Sequence, residues 1–175
     1  MRVLQTLLIL VSAALIVAFF LPYFKTETSM NTNTSSSISE IKPVESIDVT
    51  MKEINNPSMF TFVKVYFQGT DTVLQGSVGS SIFYTILYGI VPVFALLVFI
   101  YALCNVPVPA LIFSIFIGGL TYAIHWDFVS RRIMENSALT HGIGWYMYFG
   151  CAGAMFLLSL FLIIAKHYYK KQRNR

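Results

Sequence analysis

Apolar residues occur in four long runs, each about as long as a helix that crosses a bilayer core. The runs cover residues 3–24, 82–104, 109–126 and 143–166, and polar or charged residues separate them. Because roughly 20 consecutive apolar residues form a membrane-spanning helix, this pattern predicts an all-α membrane protein. We expect a four-helix transmembrane bundle.

The interval between the first two runs has a different pattern. Residues 26–39 are polar and low in complexity, which is typical of a tether. Apolar and polar residues then alternate over 46–53, the period of a half-buried strand. Residues 59–69 are rich in β-branched and aromatic residues, and 70–76 supply a return strand. The interval therefore predicts a small extracytoplasmic antiparallel β-element.

Four aromatic residues in this interval are candidates for an interface: Phe60, Phe62, Tyr66 and Phe67. One interpretation is an exposed patch that contacts a protein partner. The other is that these rings pack onto the second outer loop and the bilayer surface. Residue types alone leave both interpretations open.

Composition and charge agree with a membrane protein. Charged residues make up 11% of the chain and hydrophobic residues 56%, whereas about a quarter of an average soluble domain is charged. The net charge of +4 does not indicate nucleic-acid binding, because many of the basic residues lie within the last ten residues of the sequence. Those residues are Lys166, Lys170, Lys171, Arg173 and Arg175.

The positive charges also predict the orientation. Basic residues favour the cytoplasmic side, so Arg2 and the basic tail place both termini in the cytoplasm of the plasma (inner) membrane. Arg131 and Arg132, in the second outer loop, are exceptions. The first run is longer than a cleavable signal core, so we interpret it as an uncleaved anchor. The predicted domains are a first transmembrane helix (1–24), an extracytoplasmic loop with short strands (25–81), transmembrane helices two to four (82–166) and a basic cytoplasmic tail (167–175).

Small residues recur at helical spacing inside the predicted spans, where they let helix backbones approach closely. They are Ala14, Ala18, Ala110, Ser114, Gly118, Gly150 and Ala154. These residues either pack the bundle internally or join two protomers. Pro92 lies inside the second run and predicts a helix kink, because proline removes a backbone donor.

The residues that could carry chemistry gather near the outer membrane boundary. They are His125, Trp126, Asp127, Arg131, Arg132, His141 and Trp145. The tryptophans are typical of an interfacial belt, and Asp127 could pair with Arg131 one turn later. The histidines lack the spacing of metal-binding helices, and no phosphate-binding glycine loop is present. We therefore predict no cofactor, no metal and no catalytic residue.

The layout resembles the small four-span envelope membrane proteins of bacteria, and it is similar to the claudin-like topology of animals. The resemblance rests on a long outer loop after the first span, the tight inner turn "NVPVP" and the entry "HGIGWYMYFG" into the fourth span. The claudin signature of a tryptophan followed by paired cysteines is missing from residues 25–81. The resemblance therefore implies topology only.

These observations favour a non-enzymatic membrane protein that works by protein–protein interaction, as an accessory subunit, an assembly factor or an envelope-maintenance factor. Its expected partners are the lipid bilayer and a membrane protein or further copies of itself, with no nucleic acid. The alternative is a small transporter or channel-forming oligomer, with Gly89 and Pro92 shaping a pathway. An enzyme that acts at the outer interface through His125, Asp127 and His141 ranks third.

Overall fold

The computed structural model describes residues 2–26, 56–68, 78–130 and 139–173, which are mostly helical. In chain order its elements are α1 (Arg2–Ala18), β1 (Phe24–Thr26), α2 (Met59–Gln68), α3 (Val78–Leu103), α4 (Pro107–Ser130), β2 (Leu139–His141) and α5 (Ile143–Arg173). Helix α1 packs against α3 and α5, and α4 packs against the same two helices. The four long helices therefore form a closed ring of contacts.

Three of these helices are long and apolar enough to cross a membrane. The candidate spans are Phe83–Leu103, Pro107–Ser130 and Ile143–Gln172, so the prediction of a multi-pass membrane protein is confirmed at this level. Helix α1 is apolar but has 17 residues, and it ends at Ala18 rather than at residue 24. After α1 the chain forms a tighter turn, in which the Phe20 amide donates to the Val17 carbonyl three residues earlier, at 3.0 Å.

The core lies along the axis of the ring, because each long helix buries one stripe of side chains at three- and four-residue intervals. On α4 the buried residues are Ala110, Ser114, Ile117, Thr121, Ile124 and Phe128. On α5 they are Tyr148, Ala152, Met155, Ser159 and Leu162. The hydroxyls of Ser114 and Ser159 lie 3.5 Å apart where the two helices meet. Helix α3 is helical on both sides of Pro92, and the kink stays a prediction.

One end of the ring is closed around the short turn between α3 and α4. Asn105 adopts a left-handed conformation with φ 55°, and the Val106 amide donates to the Tyr101 carbonyl at 3.0 Å. This is the Schellman arrangement that ends many helices. Gln5 Nε2 donates to the Ala102 carbonyl at 2.8 Å, and Lys166 Nζ donates to the Asn105 carbonyl at 2.9 Å. Helices α1 and α5 are therefore both tied to this turn.

The opposite end carries the sheet. Strands β1 and β2 pair antiparallel, with Phe24 opposite His141 and Lys25 opposite Thr140. The segment before β1 is also anchored, because the Tyr23 amide donates to the Pro57 carbonyl at 2.9 Å. A two-stranded sheet thus connects the segment after α1 to the start of α5.

The sheet differs from the one expected from the sequence. The predicted strand over 59–69 is wrong, because Met59–Gln68 form helix α2. Ser58 and Thr61 form a reciprocal cap in which the Thr61 amide donates to Ser58 Oγ at 3.1 Å and the Ser58 amide donates to Thr61 Oγ1 at 3.3 Å. The other two expected strands, over 46–53 and 70–76, lie outside the described residues.

Candidate functional site

His125, His141 and Trp145 come together at the end of the ring that carries the sheet. His125 lies on α4, His141 ends β2, and Trp145 lies in the first turn of α5. Trp145 Nε1 donates to His125 Nδ1 at 3.3 Å. The ring centroids of His141 and Trp145 are 4.3 Å apart, and those of the two histidines are 6.0 Å apart. Because His125 Nδ1 accepts this bond, a neutral His125 ring carries its proton on Nε2.

Asp127 belongs to a different contact. The Tyr88 hydroxyl on α3 donates to Asp127 Oδ2 at 3.3 Å, and the Tyr88 ring stacks on Phe128 with centroids 5.7 Å apart. Residues two apart on a helix point about 200° away from each other, so His125 faces α5 while Asp127 faces α3. These two hydrogen bonds therefore place His125 and Asp127 on different sides of α4.

His141 has an unusual electrostatic environment. Its Nε2 atom is buried and has no hydrogen-bond partner among the described residues. Burial, and then the charge that His125 would carry, lower the pKa of His141 below its usual value. The structure therefore favours the neutral form of this histidine, whose ring packs against that of Trp145.

The described residues offer no metal centre. Within residues 2–26, 56–68, 78–130 and 139–173 there is no group of three His, Cys, Asp or Glu side chains placed to hold one ion. Arg131 and Arg132 lie outside the described residues. The expected pairing of Asp127 with Arg131 therefore stays a prediction.

The aromatic residues of α2 divide into a packed pair and an exposed pair. Phe62 packs on Tyr88 and Phe128, with centroids 6.1 and 5.1 Å apart, and Tyr66 is buried against α3. Phe60 and Phe67 are 41% and 74% exposed. The helix thus presents two phenylalanines outward on a single face, since residues seven apart lie above one another.

The small residues also divide. Ala18, Ala110 and Ser114 are buried between helices, and Ala14 and Ala154 are half-buried. Gly118 and Gly150 differ, because a Cβ atom added to either would have no atom within 4 Å beyond the adjoining backbone of its own helix. Internal packing therefore accounts for the buried members of the set and not for these two glycines.

Two other glycines, Gly142 and Gly144, allow the backbone before α5 to lie close to the backbone that follows α1. A Cβ atom on Gly142 would lie 2.3 Å from the Pro22 carbonyl oxygen, and one on Gly144 would lie 2.8 Å from the Leu21 and Pro22 oxygens. The Gly142 amide donates to the Tyr23 carbonyl and the Gly144 amide to the Pro22 carbonyl, each at 2.8 Å. The sequence signal was the pair of glycines in "HGIG".

Tyr23 is another residue that sequence reasoning missed. Its side chain is fully buried, and its ring lies 5.7 Å from Phe128 and 5.8 Å from Tyr148, between centroids. Trp126, by contrast, is 64% exposed on α4, in the outward position expected of an interfacial residue. The helices at the sheet end therefore pack around Tyr23, which the sequence analysis had placed at the end of the first span.

No protein-family model matches the chain, and the comparisons with curated proteins and with solved structures give no match either.

Proposed function

We propose that the chain is a four-span protein of the inner membrane, and that it works by non-enzymatic interaction with another membrane protein. Both termini and the α3–α4 turn would lie in the cytoplasm, and the β1–β2 sheet outside. The contact between Lys166 and Asn105 supports this orientation, because it groups the basic tail with the short turn. Positive charge near short loops favours the cytoplasmic side.

The observation that carries the functional part is the separation of Asp127 from the two histidines. A general acid or base needs its partner groups within hydrogen-bond reach of one reacting centre. Here Asp127 accepts a hydrogen bond from Tyr88 on α3, while His125 accepts one from Trp145 on α5. Each polar group holds two helices together, which supports a structural role for this cluster.

The outward face of α5 is the surface that we propose for the partner. Gly150 and Gly153 are exposed there, and a Cβ atom on either would meet nothing within 4 Å. Tyr146 and Leu157 extend the same face, at 61% and 50% exposure. In lipid, glycine lets a second helix approach the backbone closely. A single transmembrane helix of a partner protein fits such a face.

The test compares two substitutions on α5 in a tagged chain that is purified from its native membrane in mild detergent. Gly150→Leu fills the space that the partner helix requires, so the partner should be lost while the chain itself is retained. Phe156→Leu, at a residue 38% exposed on the same helix but about 120° around it from Gly150, is the matched control and should keep the partner. Equal recovery of the partner with both variants would contradict this interface.

The same preparation distinguishes the interaction from catalysis. His125→Ala should leave the partner bound, because the proposed interface does not include the histidine. If His125→Ala abolished the cellular activity while the partner stayed bound, the enzyme interpretation would replace ours.

A further inference from the structure

Helix α1 alone is short for a membrane span. Its 17 residues extend about 26 Å at 1.5 Å per residue, against a hydrocarbon core of about 30 Å. Helix α3, which packs against it, has 26 residues. The first span therefore lacks about one turn of helix on the side of the sheet.

Helix α2 begins where α1 ends. The Phe60 amide, in the first turn of α2, donates to the Phe19 carbonyl at the end of α1, at 3.1 Å. Both groups lack partners within their own helices, so the bond links the two elements end to end. The Phe60 ring also lies 5.4 Å from the Phe20 ring, between centroids. The negative end of one helix dipole meets the positive end of the next, which is a favourable arrangement.

Both helices pack along α3 in a continuous order. Gln5, near the start of α1, bonds to the Ala102 carbonyl near the end of α3. Tyr66, in α2, packs on Tyr84 near the opposite end of α3, with centroids 5.4 Å apart. Helices α1 and α2 therefore contact successive parts of the antiparallel helix α3, as a single continuous helix would.

The charges fit the length of the combined helix. Residues 3–18 and 59–63 supply 21 helical positions without a charge, bounded by Arg2 and Lys64. At 1.5 Å per residue they extend about 32 Å, close to the thickness of the hydrocarbon core. A charged residue then lies near each boundary, where long basic side chains reach the headgroups.

We propose that α1 and α2 form one interrupted membrane span, and that its outward phenylalanines contact lipid acyl chains. Val17, Phe20 and Phe60 are 56%, 60% and 41% exposed, and together they make one apolar surface across the interruption. The two exposed aromatic residues of α2, Phe60 and Phe67, then belong to the membrane-facing surface and do not form a patch for a protein in the aqueous phase. The inference rests on the proposed membrane insertion and not on the proposed partner.

The test measures what surrounds Phe60 in a lipid bilayer. Cys104 and Cys151 are first replaced by serine and alanine, and a nitroxide is attached to Phe60→Cys in the full chain reconstituted in phospholipid vesicles. Relaxation by oxygen, which concentrates in the bilayer, is compared with relaxation by a water-soluble nickel chelate. Ile86→Cys, 58% exposed on α3, is the lipid reference, and Lys25→Cys, exposed on β1, is the water reference.

We expect Phe60→Cys to match Ile86→Cys, with high oxygen and low nickel accessibility. Nickel accessibility equal to that of Lys25→Cys would overturn the proposal by placing α2 in water. Low accessibility to both reagents would also overturn it, because a protein surface would then cover Phe60. If Phe60→Cys disturbs the fold, Phe20→Cys gives the same comparison, because Phe20 is 60% exposed and its ring lies 5.4 Å from that of Phe60. None of these results depends on whether a partner binds α5.

Discussion

Gly142→Ala tests the close contact at the sheet end of the ring. The added methyl group would lie 2.3 Å from the Pro22 carbonyl oxygen and 3.0 Å from its carbonyl carbon. Both atoms are backbone, and the proline ring fixes φ at this position. The segment cannot rotate a side chain away, so it must move as a whole by about 1 Å to reach an ordinary contact distance.

That movement has an estimable cost. Overpacking of a well-packed site costs about 1 to 3 kcal/mol. The movement also stretches the 2.8 Å hydrogen bonds that Gly142 and Gly144 donate to Tyr23 and Pro22, each worth about 1 kcal/mol. A loss of about 2 to 4 kcal/mol corresponds to a decrease in Tm of roughly 5 to 15 °C for a chain of this size.

Thermal unfolding in detergent at a fixed scan rate measures this decrease. Gly119→Ala, on α4, is the matched control because its added methyl group meets no neighbouring element within 4 Å and lies outside the proposed partner face. Alanine also favours a helix over glycine by about 1 kcal/mol, so the control should keep or raise the Tm. The reasoning is refuted if Gly142→Ala unfolds at the same temperature as Gly119→Ala.

Substitutions at three further sites are tested in the same thermal assay. Asn105→Val should cost about 1 to 2 kcal/mol, because a β-branched residue is strained in the left-handed conformation, whereas Asn105→Gly should leave the Tm unchanged. Ser58→Ala removes a cap and should cost about 1 kcal/mol; an unchanged Tm would argue against the cap. Burial and the nearby His125 lower the pKa of His141, so the unfolded chain binds its proton more readily than the native protein. Stability should therefore fall as the pH drops below about 6.5. His141→Gln should reduce this pH dependence, and an unchanged dependence would contradict the role given to His141.

The apolar runs predicted the long helices well, because a bilayer leaves the backbone few alternatives to helix. The runs starting at residues 82, 109 and 143 correspond to α3, α4 and α5. The first run was predicted to extend to residue 24, but the helix ends at Ala18. Composition alone did not mark this end, since Phe19 to Phe24 are as apolar as the helix before them.

For helix α2, residue propensity led to the wrong prediction of a strand. Its valines and aromatic residues favour a strand in isolation, yet the residues that face the bundle are Met59, Phe62, Val63 and Tyr66. That spacing of three and four is helical. The local cap formed by Ser58 and the packing of α2 against α3 favour the helix, and strand propensity takes neither into account.

The sequence predicted which candidate residues lie near one another along the membrane normal, but not how their side chains contact each other. His125 and Trp145 were both placed at the outer boundary, and the structure brings them together. The side of α4 on which Asp127 lies depends on helix rotation within the ring, which the sequence pattern does not specify. The close contact at Gly142 depends on a segment more than 100 residues away in the chain, so local sequence could not predict it.

The mass of the complex that a tagged chain brings out of its native membrane in mild detergent tests the proposed function most directly. We predict a defined assembly larger than the 19.8 kDa chain, containing an unrelated membrane protein in fixed proportion. A lone monomer, or an assembly made of this chain alone, would contradict the proposal that it works by binding another membrane protein.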